Sequence, residues 1–405
     1  MRTTNLRAWL IWLIAGLFYM FEFIHRVIVS VMIPELTEAF EVGSALLSSL
    51  SAAYFFAYAL AQIPVGLLLD RYGTRILLTI ACLAIAVSSF AFAYAESLAI
   101  ANYCRVIIGL GSAFAFIGCL KVAATWFPAH QFAFVVGLTN LLGVVGALIG
   151  GSPTAYAVQA FGWRMIMYFA GIIGLIFTVL LWKIIRDSKN SAKHKNQTKN
   201  NNKLGTKLQT VVRNKQTWLI AIFAACLVAP IVTYSELWGV TYLAHTHALD
   251  RNLAARISSM TFIGIAIGGP TIGWLSDYFR QRTFFMGVGL IGAMLTMCLI
   301  LFGPILPLWA VYLLHIWFGF FTSAMLLCFT LNSEETSSAV RATTLAFTNC
   351  VIMLGGAGLQ VISGFFLEYT SHNYNISFIP LICCYVLALG CYVFIEEPPC
   401  RFAED

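Results

Sequence analysis

Charged residues are scarce in this sequence. Only 10% of its 405 residues are Asp, Glu, Lys or Arg, whereas 60% are hydrophobic and the mean hydropathy is +0.84. Soluble globular proteins carry about 25% charged residues, so water is not the main solvent of this chain. The same composition excludes an intrinsically disordered protein, because disordered segments are poor in apolar residues.

Cysteine is also sparse, with eleven residues, and all but Cys400 lie in apolar runs. This usage excludes a secreted scaffold held by disulfides. The chain lacks cysteine pairs with metal-site spacing, clustered Ser, His and Asp residues, and a phosphate-binding loop. The sequence therefore predicts neither an enzyme nor a bound metal or cofactor.

Long apolar runs, broken by glycine, proline and charge, fill most of the chain. Because a helix needs about 20 apolar residues to cross a bilayer, twelve crossings nearly exhaust the sequence. We predict an all-α membrane protein with twelve transmembrane helices in two groups of six. Its spans are predicted at residues 8–32, 46–69, 76–94, 98–123, 131–156, 163–184, 217–243, 255–275, 283–302, 306–331, 342–367 and 376–395.

Positive charge is concentrated between the sixth and seventh spans. From Lys183 to Lys215 there are ten basic residues and one acid, Asp187, so the charge of this segment is +9. The rest of the chain has a charge of −2, which gives the net charge of +7. This distribution does not indicate a nucleic-acid partner. The polar centre of the segment predicts a mobile cytosolic tether, with binding to anionic lipid headgroups as the alternative.

The predicted domain organisation follows from this linker. It comprises an N-terminal bundle at 1–184, the basic linker at 185–216, a C-terminal bundle at 217–397 and a tail at 398–405. Placing both termini in the cytosol puts 18 of the 24 Lys and Arg residues on that side, which satisfies the positive-inside rule. We expect a monomer that spans a plasma membrane, specifically a bacterial inner membrane.

The two halves of the chain repeat each other. The sequence GLLLDRYGTR starts at Gly66, and GWLSDYFRQR starts at Gly273, an offset of 207 residues. Gly109 and Gly319 are related by an offset of 210 in the fourth and tenth spans. Pseudo-repeats on either side of a central linker are typical of transporters.

These repeated segments resemble the motifs of the major facilitator superfamily over the whole chain. The family signature has the form G-x-x-x-D-R-x-G-R-R/K, matched by Gly66, Asp70, Arg71, Gly73 and Arg75, while Thr74 departs from it. The second copy keeps Gly273, Asp277 and Arg282 but lacks the second glycine. Two further motifs are similar to those of the family's fourth and fifth spans, and they include Arg105, Gly109, Gly143, Gly146, Gly150, Gly151 and Pro153.

Shorter strings resemble particular branches of that family. An arginine late in the first span, Arg26, the string KVAATWFPAHQFA from Lys121 and the triplet GWR from Gly162 look like the organic-anion symporters. They also look like phagosomal amino-acid and nucleoside transporters and lysosomal dipeptide carriers. The resemblance to the superfamily implies the major facilitator fold, with two six-helix pseudo-repeats around a central cavity, and a small-molecule substrate.

Ionisable residues inside the spans are the candidate binding groups. Such side chains cost about 2.5 to 3.5 kcal/mol at the centre of a membrane helix and are kept where they face a wet cavity or a partner. Glu22 and Arg26 share a face of the first span, one turn beyond Tyr19, and Glu236 lies between Tyr234 and Trp238 in the seventh. The repeat offset of 210 places Glu236 opposite Arg26, and the resemblance implies that both spans line the cavity.

The roles expected for these residues follow from their chemistry. The guanidinium of Arg26 is suited to hold a substrate carboxylate by paired hydrogen bonds. Glu236 or Glu22 is suited to hold an amino group or to exchange the coupling proton, because burial disfavours the ionised carboxylate. The alternative is that Glu22 and Arg26 only neutralise each other. Lys121 and Asn140 are further binding candidates, although lysine can instead extend to the membrane interface.

The remaining motif residues are predicted to serve gating and structure. In both loop motifs the glycine is expected to allow close helix approach, and the Asp and Arg to latch spans on the cytosolic side. Arg105 is expected to tie spans together through backbone carbonyls, beside Gly109. The glycines at 143, 146 and 150 give the fifth span a flat face for sliding contact.

The sequence therefore favours a proton-coupled importer of a small zwitterionic or anionic organic solute, such as an amino acid, short peptide or carboxylate. One alternative is an exporter of hydrophobic compounds or a siderophore. A non-transporting nutrient sensor that signals through the basic linker is the alternative from another functional class.

Overall fold

The computed structural model describes residues 6–186, 202–304, 306–337, 340–371 and 373–397. These described residues form helices and connecting loops, with no β-strand among them. Twelve helical segments in this part of the chain are long and apolar enough to cross a membrane. The predicted all-α membrane architecture with twelve spans is therefore confirmed.

The first half of the chain contains the first six candidate spans. Its α-helices are α1 Leu6–Val27, α2 Ile33–Phe40, α3 Ser44–Tyr72, α4 Thr74–Ala93, α5 Leu98–Trp126, α6 Ala129–Gly150, α7 Ser152–Phe161 and α8 Trp163–Ile184, and a 3-10 turn at Ile28–Val31 extends α1.

The second half begins with a helix that the sequence did not predict. Its α-helices are α9 Asn202–Arg213, α10 Lys215–Thr233, α11 Gly239–Thr246, α12 Arg251–Phe279, α13 Arg282–Phe302, α14 Leu308–Thr322, α15 Met325–Glu335, α16 Arg341–Tyr369, α17 Tyr374–Ser377 and α18 Ile379–Tyr392. A π-helical turn at Tyr234–Trp238 joins α10 to α11.

Local sequence explains several helix starts. Ser97 caps α5 by accepting a hydrogen bond from the amide of Ile100 at 3.4 Å, and Asn214 caps α10 by accepting one from Thr217 at 3.2 Å. Gly73 and Gly162 precede α4 and α8 with φ values of 88° and 78°, a conformation that favours glycine. Short polar or glycine-containing junctions thus separate consecutive spans.

Packing divides the chain into two compact units. The first comprises Met1–Val42 and Ala53–Asn201, and the second comprises Gly43–Ala52 and Asn202–Asp405. The division falls inside the continuous helix α3, whose first turns belong to the second unit. In the first unit α1 packs against α5 and α6, and α4 packs against α5 and α8; in the second, α10 packs against α16 and α18, and α12 packs against α14.

The last part of the predicted linker is helical. Residues 187–201 and the predicted tail at 398–405 lie outside the described residues, but Asn202–Arg213 forms helix α9. Val211 of α9 is buried with Ala221 and Phe347, which belong to α10 and α16. The expectation of a mobile tether is therefore wrong for Asn202–Arg213, because this amphipathic stretch has an apolar surface to cover.

Candidate functional site

The first candidate site lies in the first unit, on one face of α1. Tyr19, Glu22 and Arg26 follow at intervals of three and four residues, which places them on the same side of the helix. All three side chains are buried, and Glu22 is 0% exposed. The expected alignment of these residues is thus present inside the first unit.

Glu22 is held by a tyrosine that sequence reasoning missed. The hydroxyl of Tyr54, on α3, donates a hydrogen bond to the Glu22 carboxylate. Tyr54 is itself fully buried and stacks on Tyr58, with 6.1 Å between the ring centroids. Its sequence context, AAYFFAYAL, contains several aromatic residues in an apolar span and gives no signal that singles it out.

Arg105 supports this arrangement from α5. Its guanidinium lies 4.6 Å from the centre of the Tyr54 ring, and its Nη1 donates to the His25 carbonyl oxygen at 2.7 Å. Gly109, one turn along α5, allows this close packing, because a Cβ there would lie 2.3 Å from the Tyr54 carbonyl oxygen. Arg105 therefore joins three helices around Tyr54 and fixes the ring that holds Glu22.

Arg26 occupies an aromatic setting. Its guanidinium carbon lies 5.1 Å from the ring centre of Phe23 and 4.9 Å from that of Phe55. Aromatic faces attract cations electrostatically, and this attraction is stronger when water is excluded. Both rings therefore stabilise the charge of Arg26 and limit the rotation of its side chain.

The predicted flat face of α6 packs directly on α1. A Cβ at Gly146 would lie 2.2 Å from the Met20 carbonyl oxygen, and one at Gly143 would lie 2.9 Å from the Tyr19 ring. Gly150 has a similar contact at 3.0 Å with the carbonyl oxygen of Ile24. The glycines thus bring the backbone of α6 against the helix that carries Glu22 and Arg26.

The other two binding candidates of the first unit are placed differently. Lys121 donates a hydrogen bond to the Leu69 carbonyl oxygen near the end of α3. It lies five residues beyond Phe116, whose ring packs on Tyr19, and so about 7.5 Å further along the axis of α5. Asn140 is exposed on α6. The hydrogen bond to Leu69 places the Lys121 ammonium at the negative end of the α3 dipole.

The second candidate site lies in the second unit, at the π-helical turn. Tyr234, Glu236 and Trp238 all fall within this turn and are buried, with Glu236 4% exposed. Pro230 precedes the turn and removes one backbone donor from the helix. Single π turns inside α-helices occur frequently at functional sites.

Side chains from two other helices hold this turn. The Tyr234 hydroxyl lies 3.0 Å from Nε2 of His315, on α14, and Trp238 Nε1 donates to the Ser363 hydroxyl at 3.0 Å. Gln360 Nε2 donates to the Val232 carbonyl oxygen at 3.0 Å, just before the turn. Tyr234 and Trp238 thus anchor the turn inside the second unit. Gln360 is a polar residue in an apolar run, a signal that the sequence analysis did not use.

A cavity of about 110 Å³ lies beside this region in the second unit. Its lining includes Tyr242, His247, His315 and Asn375. Burial lowers the pKa of His247, which follows the seventh span. Glu236 is absent from the described lining, so this cavity is adjacent to the π turn rather than part of it.

The two loop motifs make different contacts. In the first unit Arg75 Nε donates to the Trp182 carbonyl oxygen at 2.8 Å, and Gly73 adopts the positive φ of 88° that precedes α4. Arg71 lies over the ring of Tyr72 at 5.1 Å. The side chain of Asp70 lies outside the described part of the structure, so its predicted latch contact stays a prediction.

In the second unit, Arg282 forms an ion-pair cluster. It donates to Asp277 at 2.9 Å and makes two hydrogen bonds of 2.8 Å to Glu334 on α15. The carboxylate of Glu397 accepts hydrogen bonds from the amides of Arg282 and Thr283 and so caps α13.

The first glycine of each loop motif was expected to allow two helices to approach closely. A Cβ on Gly66 or Gly273 would meet no described atom within 4 Å, so close helix approach does not explain these two glycines.

Solved structures share this fold at low sequence identity. A bacterial homologue of the human lysosomal transporter Spinster aligns with a TM-score of 0.74 and 17% identity over 97% of this chain and 95% of its own. The nucleoside transporter NupG aligns with a TM-score of 0.77 and 14% identity over 96% of this chain and 100% of its own. These similarities show the fold.

Sequence relatives include transporters of organic acids. The hexuronate transporter of Bacillus subtilis (strain 168) is 26% identical over 66% of this chain and 64% of its own length. The probable sulfoacetate transporter SauU of Cupriavidus necator is 25% identical over the same shares of the two chains. The matched region thus spans slightly less than two thirds of the length of these relatives.

The family model of the Major Facilitator Superfamily matches residues 11–358. This chain therefore belongs to that family of membrane transporters.

Proposed function

We propose that this chain is a secondary active transporter that takes up a small organic anion together with protons. The observation that carries the proposal is the arrangement on α1, where the buried cation Arg26 lies one turn from the fully buried carboxylate Glu22. The names of the hexuronate and sulfoacetate relatives support an anionic solute.

Arg26 supplies the group that binds the solute. A guanidinium presents its donors in a planar fork that matches a carboxylate, and the rings of Phe23 and Phe55 hold it in place. Hydrogen bonds between two charged groups are stronger than those between neutral groups, so this geometry favours a carboxylate over an uncharged solute.

Glu22 is the first candidate for the coupling proton. When Glu22 is ionised, the Tyr54 hydroxyl stabilises it by a charge-assisted hydrogen bond. When Glu22 is protonated, its charge disappears and burial costs less. Exchange between these two forms, as the site faces alternate sides of the membrane, would couple proton entry to solute entry.

Glu236 is the second candidate for the proton and the group suited to an amino substituent. Its position in a π turn fixed by Tyr234 and Trp238 gives it a defined orientation. For a zwitterionic solute, such as an amino acid or short peptide, Glu236 would hold the ammonium group.

We further propose that the protein is located in a bacterial inner membrane with both termini in the cytosol. We also propose that it functions as a monomer.

The test combines ligand screening with transport. Purified protein would be screened by thermal shift against glucuronate, galactarate, sulfoacetate, amino acids and dipeptides, because a bound ligand raises the melting temperature. Each ligand found would then be used in proteoliposomes, both for accumulation driven by a pH gradient and for counterflow without one. We expect accumulation and counterflow of an anionic solute.

Substitutions then assign the coupling residue. Glu22→Gln or Glu236→Gln is expected to abolish pH-driven accumulation while counterflow remains, whereas Glu38→Gln, on the exposed part of α2, leaves both unchanged. Unchanged accumulation in both buried variants would contradict proton coupling through these residues. Binding without counterflow would indicate a sensor, and transport of an uncharged compound by Arg26→Ala would favour an exporter.

A further inference from the structure

Helix α9 folds back against the start of the seventh span, within the second unit. A single residue, Asn214, joins α9 to α10, and its extended backbone turns the chain between the two helices. Val211 of α9 packs with Ala221, which lies six residues, or about 9 Å, beyond the first residue of α10. That first residue, Lys215, also begins a candidate membrane span. The contact therefore places α9 beside the membrane end of this span.

Trp218 fixes the last turn of α9 at this end. Its indole Nε1 donates a hydrogen bond of 2.8 Å to the Val212 carbonyl oxygen, and its ring packs edge-on against Phe347 with 4.8 Å between the ring centroids. The bond satisfies one of the last carbonyl groups of α9, which have no partner inside the helix. The ring is still 37% exposed, and tryptophan is enriched where the lipid core of a membrane meets water. Trp218 is therefore suited to a position at the membrane interface, with α9 beside it.

Exposed positive charge surrounds this junction. Residues 202–215 contain four basic residues and no acid. Arg213 and Lys215, the two residues that flank the junction, are both exposed. Arg341 is also exposed and begins α16, against which α9 packs. The exposed acid Glu396 lies near the start of α10, and the local charge stays positive with it included.

These features favour an anionic lipid surface as the partner. An amphipathic helix with basic residues lies in the plane of the membrane interface and is attracted to anionic lipids. The guanidinium of Arg213 can bond to a headgroup phosphate through two of its donors, and the ammonium of Lys215 adds a second cation. With both termini in the cytosol, as proposed above, this end of the protein faces the cytosolic leaflet, whose surface potential is negative.

We propose that α9 and the junction Arg213–Lys215 form a docking surface for the anionic headgroups of membrane phospholipids. The docked helix holds the end of the basic linker on the bilayer. The lipid composition of the membrane therefore controls how firmly this segment is attached.

Hydrogen exchange measures this docking without a transported solute, so its failure is distinguishable from failure of the transport function. The full chain would be placed in nanodiscs of phosphatidylcholine, alone or with about one third phosphatidylglycerol, and amide exchange would be followed in peptides that cover α9. At about 50 mM NaCl the anionic lipid should slow exchange at least threefold, because docking suppresses opening of the helix. At about 500 mM NaCl the difference should disappear, because salt screens exposed charges. Equal exchange in the two lipids at low salt would overturn the proposal.

Paired substitutions assign the contact. Arg213→Gln combined with Lys215→Gln should remove the slowing, and unchanged exchange in α16 would show that the variant folds. Lys193→Gln combined with Lys195→Gln removes the same charge from the linker ahead of α9 and should keep the slowing. Slowing that persists in the first double variant, or that is lost in both, would overturn the docking surface. Equal protection of α9 by a soluble oligonucleotide in neutral nanodiscs would overturn it in favour of a nucleic-acid partner.

Discussion

Tyr54 makes two contacts at once: its hydroxyl donates to the carboxylate of Glu22, and its ring lies 4.6 Å from the guanidinium carbon of Arg105. The arginine therefore acts on the carboxylate through the tyrosine ring that it positions. Removing the hydroxyl alone separates these two contacts experimentally.

We expect Tyr54→Phe to reduce pH-driven accumulation about tenfold, because a hydrogen bond to a charged group contributes about 1.5 to 3 kcal/mol. The ring, and so the contact with Arg105, remains. Counterflow should change much less, since solute exchange does not require Glu22 to release its proton. Tyr103→Phe, which alters a 73% exposed tyrosine on α5, is the control. Equal accumulation by both variants would remove Tyr54 from the coupling machinery.

Arg26→Lys keeps the charge but replaces the planar fork with an ammonium. We expect the KM for an anionic solute to rise about 10- to 100-fold, because an ammonium cannot form the paired hydrogen bonds that a planar guanidinium makes with a carboxylate. Initial uptake rates across a concentration series would measure the change. Arg164→Lys, at an arginine over the Trp163 ring, is the matched control and should leave KM unchanged. A similar rise in both variants would point to general destabilisation.

Gly109→Ala should destabilise the first unit. The added methyl group would lie 2.3 Å from the Tyr54 carbonyl oxygen, and overpacking of this kind costs about 1 to 3 kcal/mol. Gly358→Ala, which has open space in α16, should be neutral or raise stability by up to about 1 kcal/mol through helix propensity. Melting temperatures in detergent would compare the two. A lower melting temperature for the Gly358 variant than for the Gly109 variant would contradict this packing.

The docking of α9 can be tested with two neighbouring valines. Val211 is 2% exposed and packs with Ala221 and Phe347, whereas Val212 is 42% exposed. Val211→Asp should lower the melting temperature and increase cleavage of the linker by trypsin, because burying an unpaired charge is costly. Val212→Asp should do neither. Equal cleavage of the two variants would show that α9 does not depend on this contact.

The twelve spans were predictable because membrane insertion depends on long apolar runs, which a single sequence displays directly. The alignment of Tyr19, Glu22 and Arg26 was also predictable, since helical periodicity fixes which residues share a face. Tyr54 was not, because its role depends on a contact between α1 and α3 that neither local sequence reveals. The break of the fifth span at Gly151 and that of the tenth at Ser323 and Ala324 were likewise missed, because hydropathy continues through both positions.

The repeat motifs show the same limit. The offset of 207 residues correctly pairs Asp277 and Arg282 with Asp70 and Arg75 in sequence. However, Arg282 bonds to Glu334, while Arg75 bonds to the backbone of Trp182. Equivalent positions therefore differ in these contacts, because Glu334 and Trp182 lie outside the repeated motif. The fold could be predicted from the sequence, but the network around each charge could not.

The π turn at Tyr234–Trp238 also affects how mutations in the seventh span should be designed. One extra residue in a turn rotates everything after it by about 100° relative to a regular α-helix. A helical wheel drawn without interruption from α10 into α11 would therefore assign the residues after Trp238 to the wrong faces. For cysteine scans and designed helix contacts in this span, a new helical wheel should therefore be drawn from Gly239 onward.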